Sequence, residues 1–193
     1  DAGADAWKGN SVKIDADKTE FVGYTDFDCD AKIIAIVNSD GELVDMLGAG
    51  ESGTVVLNKT PFYAQSGGQV GDSGVIKNGD DNAFIVSDTA KNADSIYLHK
   101  GEVSRGVISV GDSVFASINA ERRKAIMRNH TAAHLLQAAL RQVLGTHVEQ
   151  AGQLVNESEV RFDFTHFNPM TSEEIKKVEL IVNNFILSAQ SVT

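Results

Sequence analysis

The chain has 193 residues, 42% of them hydrophobic, enough for one domain or two small ones around a real core. Its single cysteine, Cys29, excludes an internal disulfide framework and fits a reducing cytoplasmic setting, and no apolar run approaches the roughly 20 residues that span a bilayer, so no membrane contact is expected. The net charge of −10 argues against nucleic acid only until it is divided: residues 1–120 hold nineteen Asp/Glu against nine Lys/Arg, and residues 121–193 balance at eight each.

The start, "DAGADAWKGN", is polar and acidic, with no signal peptide and no initiator Met, and residues 1–19 read as a polar leader cut from something longer. Trp7 within it is expected to anchor against the following domain. Residues 20–119 then read as short strands. "EFVGYTDF", "AKIIAIVN", "GELVDML", "GTVVLN", "FIVSDTA", "SIYLHKGEV" and "SVFASINA" are rich in β-branched and aromatic residues, and "NSDGE", "KNGDD" and "SVGDS" supply turn residues between them. Seven short strands in about 100 residues predict a small closed or nearly closed antiparallel barrel. Cys29 in "FDCDAK" is flanked by acids that raise its pKa, which marks an inert thiol.

Beyond residue 119 the periodicity becomes helical. Residues 120–144 form one predicted helix with Gly145 as its C-terminal cap, "EVRFDFTH" alternates as a strand, and "TSEEIKKVELIVNNFILSAQ" is a second helix opened by Thr171 and Glu174 in capping-box spacing. The layout is therefore a β-barrel followed by an α+β unit. One strand with two helices leaves edges unpaired, so a further pairing strand is expected beyond the end or in a partner.

On the first helix Ile126, Ala133, Leu136, Leu140, Val143 and Leu144 make one apolar arc, and His130 and His134 stand at its edge, four residues apart on one face. That spacing lets two imidazoles share a metal ion, although hydrogen-bonded core-edge histidines have the same pattern. Thr131 follows the first histidine where a zinc protease carries Glu, so no general base is built in. Cys29, His99, His147 and His166 are the remaining candidate ligands, and none clusters with a second partner in the sequence. Around the pair, residues 121–145 hold Arg122, Arg123, Lys124, Arg128 and Arg141 against Glu121 alone. Screening limits the reach of charge to about 8 Å, so this local basic island governs phosphate binding more than the total does.

"TPFYAQSGGQVGDSG", residues 60–74, is neither a Walker loop nor a dinucleotide fingerprint. Its glycines permit close backbone approach to a phosphate, a ribose or a carbonyl, or else a tight barrel corner.

Together "TPFYAQSGGQVGDSG", "RNHTAAHLLQAALRQVLGTHVEQAGQLV" and "VRFDFTHF" closely resemble the editing domain of bacterial alanyl-tRNA synthetase, over roughly residues 20–190. The resemblance implies a β-barrel followed by a truncated α/β unit of the threonyl/alanyl-tRNA synthetase editing type. It implies hydrolysis of mischarged Ser-tRNA(Ala) and Gly-tRNA(Ala) at a zinc site. His130 and His134 match the first ligand pair, and a CxxxH pair is expected past Thr193, leaving zinc weak or absent here and this fragment inactive alone. Gln150 matches a family position tied to editing, so the implied catalytic set is His130, His134 and Gln150. Ser66, Gly67, Gly68, Gln69, Gly71 and Asp72 are expected to close on the aminoacyl-adenosine end with Gln150. Arg122, Arg123, Lys124 and Arg128 are expected to meet acceptor-stem phosphates of tRNA(Ala). "VRFDFTHF" is assigned to the sheet, with His166 outside the chemistry. The expected partners are that tRNA and the remainder of the parent synthetase, a ligase whose ATP site lies elsewhere, since no ATP-binding signature occurs in this sequence. A docking module without catalysis, or a piece of a free-standing trans-editing hydrolase, are the alternatives.

Overall fold

A computed structural model describes residues 18–189; Trp7 and most of the polar opening segment lie outside the described residues. The chain divides into two compact units. The first comprises residues up to Ser66 together with Val70–Arg123, and the second comprises Gly67–Gln69 together with Lys124–Thr193.

The first unit contains strands β1 (Glu20–Phe21), β2 (Asp28–Asn38), β3 (Leu43–Val44), β4 (Met46–Gly48), β5 (Ser52–Leu57) and β6 (Lys59–Thr60). It continues with β7 (Gly74–Asn78), β8 (Asn82–Lys91), β9 (Tyr97–Arg105), β10 (Val107–Ser109) and β11 (Ser113–Ile118). Six of these pair antiparallel in the order β2-β5-β9-β8-β7-β11, and β11 returns to β2 to close a barrel. Closure leaves none of the six with an open edge. Alternation puts Ile33, Leu57, Ile76, Phe84, Val103 and Val114 inside, all buried, as one continuous core.

Several strand expectations change: "GELVDML" divides into β3, paired with β2, and β4, paired with β10, and β6 and β10 lie outside the expected strands. "EFVGYTDF" forms a strand only at Glu20–Phe21; Thr25 N–H turns back to Val22 O, and the chain leaves the sheet at Gly23. β7 was not predicted, because "GVIKN" offers only Val75 and Ile76 as apolar residues. It is a barrel strand nonetheless, held between β8 and β11.

Helix α1 (Ala120–Leu144) matches the predicted span. Asn119 opens it, its Oδ1 accepting the Arg122 N–H at 3.0 Å. Gly145 closes it at φ +116°, a conformation that a side chain resists, with its N–H donating to Arg141 O at 3.0 Å. The second unit continues with β12 (Gln150–Val155), β13 (Val160–Phe164) and α2 (Ser172–Leu187). The capping box is present: Thr171 Oγ1 accepts the Glu174 N–H, and the Glu174 carboxylate accepts the Thr171 N–H at 2.8 Å. Ala139, Leu140, Val148 and Val178 form the buried core of this unit, with Phe162 and Phe164 packed against it.

The expected pairing partner for β13 lies inside the chain, which corrects the sequence expectation. β12 pairs with it antiparallel from Gln150↔Phe164 to Val155↔Val160, with an irregularity between Gln150 and Gly152. "QAGQLV" had no clear alternation, since Gly152 interrupts it. Among the described residues, no helix is long and apolar enough to cross a membrane.

Candidate functional site

Three residues of the glycine-rich stretch, Gly67–Gln69, fold with the second unit. Gly67 and Gly68 both take positive φ, +58° and +82°, and this reverses the chain so that it runs along β12. Val155 N–H donates to Gly68 O at 2.8 Å, the Gln153 side-chain amide donates to Gly67 O, and Gln69 forms a parallel bridge with Val155. A Cβ on Gly68 would stand 2.4 Å from Gln153 O and 2.5 Å from Gln153 Cγ. Gly68→Ala therefore meets both an unfavourable φ and a collision. It is expected to destabilise the second unit by about 1–3 kcal/mol. Hydrogen exchange of the β12 and β13 amides checks this, because their protection should fall while that of the barrel amides does not.

Held in this way, Gln69 is buried, and its Oε1 lies 2.5 Å from His130 Nδ1. A carboxamide oxygen only accepts, so with Oε1 on this side the contact is a hydrogen bond when Nδ1 carries the proton. His130 and His134 lie one turn apart on α1 with rings stacked, centroids 5.2 Å apart and planes 19° apart. Burial, and after it the neighbouring His134, push the His130 imidazole below its ordinary pKa. His134 is exposed. Asn129 Nδ2 donates to Asn156 O at 2.8 Å, which ties this stretch of α1 to the turn between β12 and β13.

The other expected site residues fall elsewhere. Gln150 is exposed at the first residue of β12. It stands five residues from Val155, where Gln69 is bridged, a separation of roughly 16 Å at strand rise. Ser66 is exposed. Asp72 and Arg123 belong to the first unit, are 2% and 5% exposed, and form an ion pair. Arg123 Nε reaches both Asp72 oxygens at 3.0 Å, Nη1 donates to Gly23 O at 2.8 Å, and Nη2 donates to Pro61 O at 3.2 Å. This guanidinium is enclosed within the unit. Arg122 is half-buried and donates to Gly71 O at 2.8 Å. Of the four expected phosphate ligands, only Lys124 and Arg128 are exposed.

The further candidate metal ligands have other roles. His99 is fully buried in the barrel between Thr60 and Val55. The Cys29 thiol is pushed up chiefly by burial, with Asp30, Asp28 and Asp26 adding to the rise and Lys59 opposing it. His147 Nε2 and His166 Nδ1 stand 3.0 Å apart in stacked rings, with Phe167 stacked on His147. Nineteen positions separate the two histidines, and no periodicity signals that pairing. Imidazole nitrogens suit zinc, but among the described residues no group of three or more His, Cys, Asp or Glu side chains stands together. His130 and His134 offer two imidazoles on one helical face, and no third such donor stands with them among the described residues.

The relatives are consistent in kind. The chain is 51% identical over 175 residues to an alanine–tRNA ligase of Acetivibrio thermocellus, a match that covers 91% of this chain and 20% of the relative. Alanine–tRNA ligases of Rhodopseudomonas palustris and Burkholderia thailandensis are 48% and 50% identical over 90% and 89% of the chain, which covers 19% and 20% of their lengths. The chain thus spans about a fifth of the length of these relatives. The family model described as tRNA synthetases class II (A) matches residues 5–122, more than half of the sequence, and the chain belongs to that family.

Proposed function

We propose that this chain is part of the editing region of an alanine–tRNA ligase, which hydrolyses the ester of Ser-tRNA(Ala) and Gly-tRNA(Ala). The observation that carries this reading is the contact between Gln69 and His130. It joins the glycine-rich stretch to the histidine pair in a chain half identical to alanine–tRNA ligases.

The need for such a site is chemical. A pocket shaped for alanine gains only about 1–3 kcal/mol of discrimination from one missing methyl, and it rejects an added hydroxyl by about a hundredfold. A second, hydrolytic site raises that selectivity by acting on what the first admitted. Recognition of serine calls for a polar side chain that alanine would leave unpaired. Gln150 has that chemistry and is exposed. Lys124 and Arg128 offer exposed cations to acceptor-stem phosphates, while Arg123 is internal. His130 and His134 would be two of the zinc ligands, and bound zinc would polarise the ester carbonyl or lower the pKa of water to about 7. Within the chain, Gln69 holds His130, the tripeptide holds Gln69, and β12 holds the tripeptide.

The test is single-turnover deacylation of preformed Ser-tRNA(Ala), Gly-tRNA(Ala) and Ala-tRNA(Ala) by an alanine–tRNA ligase carrying this segment. His130→Ala should lower Ser-tRNA(Ala) hydrolysis by at least about a hundredfold and leave alanine activation unchanged. Unaltered hydrolysis in the variant would refute the reading and favour a docking role.

A further inference from the structure

We propose that Gln69 is a positioning residue that fixes the tautomer of His130, holding the proton on Nδ1 and leaving the Nε2 lone pair as the reactive donor. The inference rests on the editing reading for its link to catalysis, and on geometry alone for the tautomer. It moves Gln69 away from the substrate-contact role that the loop's resemblance implies.

Three observations support it. Gln69 Oε1 lies 2.5 Å from Nδ1, and a carboxamide oxygen cannot donate, so this contact is made only when Nδ1 is protonated. A neutral imidazole has a single N–H, and Nε2 is then left with its lone pair. Gln69 is itself buried, at 6% exposure, which raises the cost of leaving its oxygen without a donor.

The backbone on either side of that amide is equally constrained. Two positive-φ glycines, the Val155 N–H to Gly68 O bond and the bridge to Val155 set where the side chain starts. The Gln153 side chain secures Gly67 O from the other side. Such an arrangement orients a histidine through a neighbour that never touches substrate, and loss of a partner of this kind typically lowers activity by about 10- to 100-fold. His134, exposed and stacked on the same ring, limits rotation of His130 from the other face.

The experiment combines a spectroscopic and a kinetic measurement. In the ¹⁵N-labelled chain, at a pH where His130 is neutral, long-range ¹H–¹⁵N correlations should show a protonated Nδ1 and a bare Nε2. Observation of the opposite tautomer in the unmutated chain overturns the proposal outright. Gln69→Leu, which removes the acceptor at similar volume, should shift His130 toward the Nε2–H form that free imidazole prefers. Gln69→Glu, which keeps an oxygen there, should retain the Nδ1–H form. In an alanine–tRNA ligase carrying the segment, Gln69→Leu should lower kcat for Ser-tRNA(Ala) hydrolysis by about 10- to 100-fold with KM within about twofold, and Gln69→Glu should restore most of it. A change confined to KM would instead make Gln69 a substrate contact and overturn the proposal. If the tautomer responds as expected but no variant, nor the unmutated ligase, hydrolyses Ser-tRNA(Ala), the editing reading fails and the positioning role stands. If hydrolysis is present and neither tautomer nor kcat responds to Gln69→Leu, the positioning role fails and the editing reading stands.

Discussion

Asp72→Ala is expected to destabilise the barrel unit by about 3–5 kcal/mol, the usual cost of leaving one member of a buried ion pair alone. Arg123 is enclosed by the Asp72 carboxylate, the Gly23 and Pro61 carbonyls and the face of Tyr63, 5.7 Å from its ring centroid. Two carbonyl dipoles and a ring do not neutralise a guanidinium in a low-dielectric site. Removal of the carboxylate also releases the Tyr63 N–H, which donates to Asp72 Oδ2 at 2.8 Å. Asp72→Asn keeps acceptor geometry and should cost less. The double variant Asp72→Asn with Arg123→Met should be destabilised by less than the sum of its parts, by about 2 kcal/mol, because neither charge is then left over. Amide exchange of the barrel strands measures each value. Additivity would mean that the pair is not coupled.

The second large effect is a pH dependence. His99 is fully enclosed; its Nδ1–H donates to Val55 O at 2.9 Å, its Nε2 accepts from Thr60 Oγ1 at 2.7 Å, and Phe62 meets its ring edge-on. Both nitrogens are satisfied in the neutral form, and burial lowers the pKa from 6.5 to about 4, against a smaller opposing contribution from the Val55 carbonyl. The folded value lies below the unfolded one, so the neutral ring's stabilisation is complete above pH 6.5. As pH falls below 6.5 the unfolded chain takes up the proton first, and stability declines until about pH 4, where the folded state binds it too. Over that window the loss should reach about 3 kcal/mol. The check is urea unfolding of the barrel from pH 7 to pH 4, compared with His99→Gln, whose side chain does not titrate. The difference between the two curves isolates the histidine, and parallel curves would exclude it as the cause.

The barrel was legible because its strands are dense in β-branched and aromatic residues and its turns carry Gly, Asn and Asp. α1 was legible to its last residue for the same kind of reason: an apolar arc followed by Gly145. β7 and β12 escaped because each is short, interrupted or sparse in apolar residues, and each becomes a strand through its neighbours' hydrogen bonds. In the site, the spacing of His130 and His134 was visible, but their partner was not. Sixty-one positions separate Gln69 from His130, and no periodicity links a loop residue to a helix residue at that distance. The burial of Arg123 had a signal that a count of charges conceals. It lies three residues before Ile126 and ten before Ala133, on the side of α1 that carries the apolar arc, so this member of the basic run faces inward.

The assignment of Gly67–Gln69 to the second unit has a consequence for modularity. The polypeptide leaves the first unit after Ser66, returns at Val70 and leaves again after Arg123, so no single cut separates the two units into intact pieces. A segment beginning at Lys124 would lack the reversing turn that lies along β12 and the amide that holds His130. Grafts and recombinants of this region therefore have to carry the three residues with the helix. An exchange made only at the 123/124 junction would pair a histidine helix from one lineage with the supporting glutamine of another.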